Sequence, residues 1–105
     1  MGPSYTRIGH PQAEALLQRT DVQVLDVRDA ESYLRGHIEG AQNISTRNLG
    51  DFIGSTNKDA PVLIYCYKGN ASQEYSKILC DFGFKEVSSL DGGFEAWSKR
   101  PAALQ

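Results

Sequence analysis

Apolar residues in this chain follow two rhythms that alternate along its length. Two dense runs, "VQVLDV" (22–27) and "PVLIYC" (61–66), place apolar side chains at neighbouring positions, as strands covered on both faces do. "SYTRI" (4–8), "AQNI" (41–44) and "EVSSL" (86–90) predict three further short strands. Between them the spacing lengthens. "HPQAEALLQR" (10–19) has Pro11 near a helix start and apolar Ala13, Leu16 and Leu17, a short amphipathic helix. "DAESYLRG" (29–36) predicts a helix ending before Gly36, and "RNLGDFIGS" (47–55) a weaker one carrying Leu49, Phe52 and Ile53. "SQEYSKILCDFGF" (72–84) is the clearest helix, with Tyr75, Ile78, Leu79 and Phe82 at helical spacing and Gly83 at its C-cap. "GGFEAWSKR" (92–100) predicts the last. Strands alternating with helices predict an α/β fold, a five-stranded, mostly parallel sheet with helices on both faces.

The totals narrow the function classes. At 105 residues, 40% hydrophobic, the chain suits a single domain spanning 1–105 with its own core. A formal net charge of -2 disfavours nucleic acid or an anionic membrane as partner. No apolar run approaches the ~20 residues a bilayer span needs. "MGPSYTRIGH" contains no apolar leader core, so secretion is not expected. The two cysteines, Cys66 and Cys80, are too few for a disulfide framework, and no Cys/His spacing suits zinc. Free thiols in a cytoplasmic setting follow, with no metal and no cofactor.

The chemistry concentrates where "PVLIYC" ends. In open parallel sheets, ligands bind outside the carboxyl ends of the strands. Cys66 sits at such an end, directly before a helix, and Tyr67, Lys68, Gly69, Asn70, Ala71 and Ser72 connect the two. This loop can curl so that its backbone N–H groups point inward, with Gly69 and Asn70 supplying the residues that tolerate positive φ. The positive end of the next helix adds to the cup, and Ser72 offers a hydroxyl at its N-cap. A sulfur inside it is favoured as thiolate, the nucleophilic form. Lys68 sets a positive charge at the rim. On local chemistry a second reading stays open, in which Cys66 is a small buried hydrophobe before an ordinary turn.

"CYKGNAS", "LDVRD", "GHIEGAQNI" and "SLDGGFEAW", in this order and spacing from about Ile8 to Trp97, resemble the single-domain rhodaneses, the thiosulfate sulfurtransferases. The likeness is strongest to short bacterial members with a Cys-Tyr-x-Gly-Asn-x-Ser loop. The resemblance implies a five-stranded parallel sheet flanked by helices. It also implies a ping-pong transfer in which Cys66 takes the outer sulfur of thiosulfate as a persulfide and passes it to cyanide or a thiol. A related reading is a persulfide carrier that hands sulfur to a protein partner. A phosphatase or arsenate reductase shares the strand–loop–helix cup but requires Cys-x-x-x-x-x-Arg, and Ser72 stands where that arginine belongs. Lys68 does not replace its bidentate fork.

Other residues carry paired readings. The resemblance implies that Asp26 and Arg28, ending the second strand, support the loop by hydrogen bonds; the alternative is a structural ion pair. His37 reads as part of a structural turn rather than as a base. Cys80 reads as a packed, inert thiol rather than a resolving cysteine. The Gly92-Gly93 pair permits a tight turn beside the loop, with Phe94 and Trp97 packing the last helix. Tyr67 either shapes the mouth over the sulfur or covers surface.

Overall fold

Five strands and five helices alternate through residues 4–101, the part of the chain described by the computed structural model. They are β1 (Thr6–Ile8), α1 (His10–Leu16), β2 (Gln23–Asp26), α2 (Ala30–Arg35), β3 (Gln42–Asn43), α3 (Leu49–Ser55), β4 (Val62–Tyr65), α4 (Ala71–Asp81), β5 (Val87–Leu90) and α5 (Gly93–Ser98). The strands form one sheet in the order β1-β5-β4-β2-β3. Every pairing is parallel. All four residues of the central strand β4 are buried. Among the described residues no helix is long and apolar enough to cross a membrane.

Because side chains alternate along a strand, β4 feeds two cores. Val62 and Ile64 join Leu25, Leu49, Phe52, Leu79 and Phe84 on the α3/α4 side. Leu63 and Tyr65 join Ala13, Val24, Leu90 and Trp97 on the α1/α5 side. Register then sets the edge that matters. Tyr65 pairs with Asp26, and Ile64 pairs with Ser89. The carboxyl ends of β2, β4 and β5 therefore come level, and the residues just past them, Arg28, Cys66 and Asp91, share one rim.

The inner face of α4 differs from the apolar spacing in the sequence. Its buried residues are Ser72, Ser76, Leu79 and Cys80. Phe82, one of the residues at helical spacing, is 59% exposed. Ser72, Ser76 and Cys80 recur at intervals of four, and their small size lets the helix approach the sheet closely. The hydroxyls find partners despite burial: Ser76 Oγ donates to Ser72 O at 2.7 Å. The C-cap is Phe82, and Gly83 follows it in the left-handed region at φ 99°, one place later than the sequence suggests. Gly83 N–H bonds Cys80 O and Phe84 N–H bonds Leu79 O, which drops Phe84 into the core.

Candidate active site

Cys66 is the first residue past β4, and its thiol is surrounded by donors. The N–H groups of Gly69 and Ser72 point at Sγ from 3.2 and 3.3 Å, and Ser72 Oγ lies 3.4 Å away. The loop turns on one left-handed residue, Gly69, at φ 99°. Asn70 does not share that role: its φ is -93°, and it opens α4 as the N-cap with no side-chain capping bond. Ser72 is likewise not at the cap. It lies inside the first turn, where its hydroxyl aims at the sulfur and at Ser89 Oγ, 2.8 Å away. One positive-φ residue suffices because the helix itself supplies the remaining inward N–H groups.

Two effects compete over the Cys66 proton. Burial pushes the thiol up; the Ser72 hydroxyl and the N–H groups of Ser72, Gly69 and Lys68 bring it down. The donors win, and the thiol titrates below its ordinary value. Alkylation of Cys66 by iodoacetamide, followed against pH, is expected to inflect below the ~8.5 of a free thiol. An inflection at or above that value would mean the donors do not stabilise the thiolate. Cys80 behaves oppositely. It is buried in the α3/α4 core, its thiol is raised by burial, and both cysteines are free.

The loop is held from below by α5, a support the Gly-Gly pair hinted at. Phe94 N–H donates to Cys66 O at 2.8 Å, and Glu95 N–H to Tyr67 O at 3.1 Å. From the side, Gln73 Nε2 donates to Gly69 O, and Tyr5 Oη donates to Gln73 Oε1, each at 2.8 Å. Gln73, Tyr5 and Ser89 were not anticipated. Their separation in sequence from the loop's partners, or their ordinary residue type, gave no local signal.

Asp26 and Arg28 form a buried ion pair, with Arg28 Nη2 2.7 Å from Asp26 Oδ2 and Nε within 3.1 Å of both carboxylate oxygens. The expected hydrogen bonds to the loop are absent among the described residues. Arg28 instead donates to Gly36 O. Its guanidinium lies over the Phe94 ring at 4.1 Å and near the Tyr67 ring at 5.6 Å. The fork is consumed by Asp26, so the pair meets the loop through aromatic faces.

Tyr67 is 50% exposed, yet its hydroxyl is anchored 2.8 Å from Ser32 Oγ. Ser32 spends its only proton on Asp29 Oδ1, so Tyr67 is the donor in that pair. The tethered ring, with Val27, Arg28, Lys68, Asn70 and Ala71, lines an open cavity of about 310 Å³ over Cys66. Lys68 makes no ion pair among the described residues. His37 stands apart from this cavity. It stacks on Tyr33 at 3.9 Å and bonds Tyr33 O, beside a larger groove of about 700 Å³ near Glu14 and Trp97 that contains no cysteine.

The chain and its fold resemble known proteins. The rhodanese-like domain model matches residues 10–100. The chain is 44% identical over 96 residues to the thiosulfate sulfurtransferase GlpE of Shewanella oneidensis, covering 89% of this chain and 95% of that protein. It is 46% identical over 93 residues to the protein of the same name from Pseudomonas fluorescens, covering 89% and 84%. Among solved structures, a rhodanese-like domain protein from Staphylococcus aureus is 29% identical, with a TM-score of 0.76 over 88% of this chain and 90% of its own. A Rhodopseudomonas palustris protein described as a possible tyrosine phosphatase is 26% identical, with a TM-score of 0.80 over 96% and 85%.

Proposed function

This chain belongs to the rhodanese-like family, and on that premise we propose that it is a thiosulfate sulfurtransferase carrying sulfur on Cys66. The observation that carries the proposal is the convergence of the Gly69 and Ser72 N–H groups and the Ser72 hydroxyl on one cysteine sulfur beneath an open cavity. The Cys66 thiolate attacks the outer sulfur of thiosulfate. A new S–S bond forms, the bond to the sulfonate sulfur breaks, and its electron pair departs with sulfite. The enzyme keeps a persulfide anion. Cyanide or an acceptor thiolate then attacks the terminal sulfur, and the electron pair of the enzyme S–S bond returns to Cys66 as thiolate. Sulfite leaves readily, so little acid–base machinery is needed. The site's task is to hold first a thiolate and then a persulfide, which fixed N–H donors do without reorganising.

Ser72 at the sixth position after Cys66 also argues against phosphoryl chemistry, since no guanidinium fork grips an oxyanion there. The test is intact mass after thiosulfate, with sulfite measured in parallel. Gain of one sulfur on Cys66 with release of sulfite supports the proposal. Persulfide acquired only from a protein donor would favour a carrier, and aryl phosphate turnover that disappears in Cys66→Ser would favour a phosphatase. The cytoplasm, where free thiols persist, is the proposed location.

Lys68 is proposed to capture the thiosulfate dianion. It lines the cavity mouth and is the one charged residue within 67–72. An exposed charge at ~4–6 Å exerts a pull of around one to a few kcal/mol, weakened by salt over a Debye length of about 8 Å. Lys68→Ala is expected to raise KM for thiosulfate several-fold at low salt and less at high salt. The chemical step should change less, and Lys68→Arg should be milder. An unchanged KM at both salt levels would remove Lys68 from capture.

A further inference from the structure

Beneath the sulfur lies a short string of hydroxyls that the reaction as written does not require. Ser72 Oγ touches Cys66 Sγ on one side and Ser89 Oγ on the other. Ser72 and Ser89 are 0% and 1% exposed. Among the described residues Ser89 Oγ has no hydrogen-bond partner besides Ser72 Oγ, and Ser72 Oγ none besides Ser89 Oγ and the sulfur. Ser89 lies on β5, where its side chain faces α4 because Ile64, its partner across the sheet, faces the same core.

Counting protons along this string separates the two states of Cys66. With a neutral thiol there are three protons, on Sγ, Ser72 Oγ and Ser89 Oγ, but only two contacts to hold them. One proton must leave the string: either the thiol turns its S–H out toward the open cavity, or a buried hydroxyl is left without an acceptor. With the thiolate there are two protons and two contacts. Ser89 donates to Ser72, Ser72 donates to the sulfur, and every proton is paired. A buried polar group without a partner costs free energy, and a hydroxyl that accepts a hydrogen bond becomes a better donor. Taking Cys66 as the sulfur-carrying nucleophile, we propose that Ser89 is a positioning residue: it turns the Ser72 hydroxyl toward the sulfur and thereby favours the anion.

Among the described residues no charged side chain supplies this effect by direct bonding. Of those near the site, Arg28 is held by Asp26, Asp91 by Arg7 and Glu74 by Lys77, while Lys68 and Glu95 lie at the surface. None hydrogen-bonds to Cys66 Sγ. The lowered titration of Cys66 accords with a donor string.

Alkylation of Cys66 by iodoacetamide, read on its own peptide by mass spectrometry across pH, tests the proposal without relying on sulfur transfer. Ser89→Ala is expected to move the inflection upward by about half a unit, a roughly three-fold loss of thiolate at pH below both inflections. The deficit in kcat/KM for thiosulfate should shrink as pH rises. Ser89→Thr, which keeps the hydroxyl, should restore the profile. Ser88→Ala, one residue along β5 and facing the other core, should leave it unchanged. In a Ser72→Ala background Ser89→Ala should add nothing, because Ser89 acts through Ser72. If Ser89→Ala does not fold, Ser89→Cys carries the same comparison with a weak donor of similar shape. An unmoved inflection, failure of Ser89→Thr to restore it, or an equal shift in the Ser72→Ala background overturns the proposal. Absence of a persulfide on the wild-type protein would instead remove the sulfurtransferase reading while leaving the alkylation comparison intact.

Discussion

Replacing Cys66 by serine is expected to abolish both sulfite release from thiosulfate and the gain of sulfur mass, with the fold retained. The effect is large because, in the proposed reaction, one atom takes part in every step. A serine hydroxyl in the same cup stays protonated at neutral pH and cannot carry a sulfane sulfur. The remaining N–H groups then have no nucleophile to stabilise, and a loss of at least about 10³-fold follows. Serine is close in size to cysteine and can accept from Gly69 and Ser72, so circular dichroism should report a native protein. Cys80→Ser should give the reverse pattern. Its thiol is buried in the core cluster that includes Leu79 and Phe84, and a hydroxyl there would sit in an apolar setting. That costs about 1–3 kcal/mol of stability, yet turnover should stay within about two-fold. Sulfite assays and thermal melts on the two variants decide the matter. Activity lost in Cys80→Ser and kept in Cys66→Ser would reverse the assignment of the nucleophile.

The elements were legible because dense apolar runs and helical spacing report burial of apolar groups, and burial of that kind builds a parallel sheet. The position of the site was legible too, since a thiol at the end of the most apolar strand must emerge at the carboxyl edge. What was not legible concerns small polar residues and distant partners. The hydroxyls of Ser72 and Ser76 disappear from any hydropathy pattern, yet both line the face of α4 against the sheet, where smallness outweighs polarity. Phe82 points outward because, two residues past Cys80, it falls on the other side of the helix from the buried face. The Ser72–Ser89 contact depends on the register of β4 with β5, which links residues 17 apart in the chain. Asn70 illustrates a different limit. Its residue type permits positive φ, but only the turn geometry decides whether one such residue or two is required, and Gly69 alone satisfies it. The resemblance placed Arg28 near the loop, and the structure shows that its fork faces Asp26 and its flat side faces the rings.

Gly93→Ala is expected to damage stability and chemistry together, although the residue neither bonds the sulfur nor lines the cavity itself. A Cβ built on Gly93 would lie 2.5 Å from Cys66 O and from Tyr67 C and O. These are backbone atoms at the junction of β4 with the active loop, and they cannot swing aside as a side chain does. The two oxygens are also the acceptors for Phe94 and Glu95 N–H. Relief of the clash must therefore push α5 away or lift the loop, and either breaks bonds that set where Gly69 and Ser72 aim. Gly83→Ala is the control. Gly83 also has positive φ, at 99°, but a Cβ there meets nothing within 4 Å. Alanine in the left-handed region alone costs about 1–2 kcal/mol. Gly83→Ala should lose roughly that amount and keep its Cys66 alkylation profile. Gly93→Ala should lose about 3 kcal/mol or more, since overpacking adds to the dihedral cost. In the fraction that folds, the alkylation inflection should rise toward that of a free thiol, and kcat/KM should fall more than about ten-fold as the N–H donors lose aim. Melts and alkylation profiles for both variants check this. Equal behaviour of the two glycines would mean that α5 does not brace the loop.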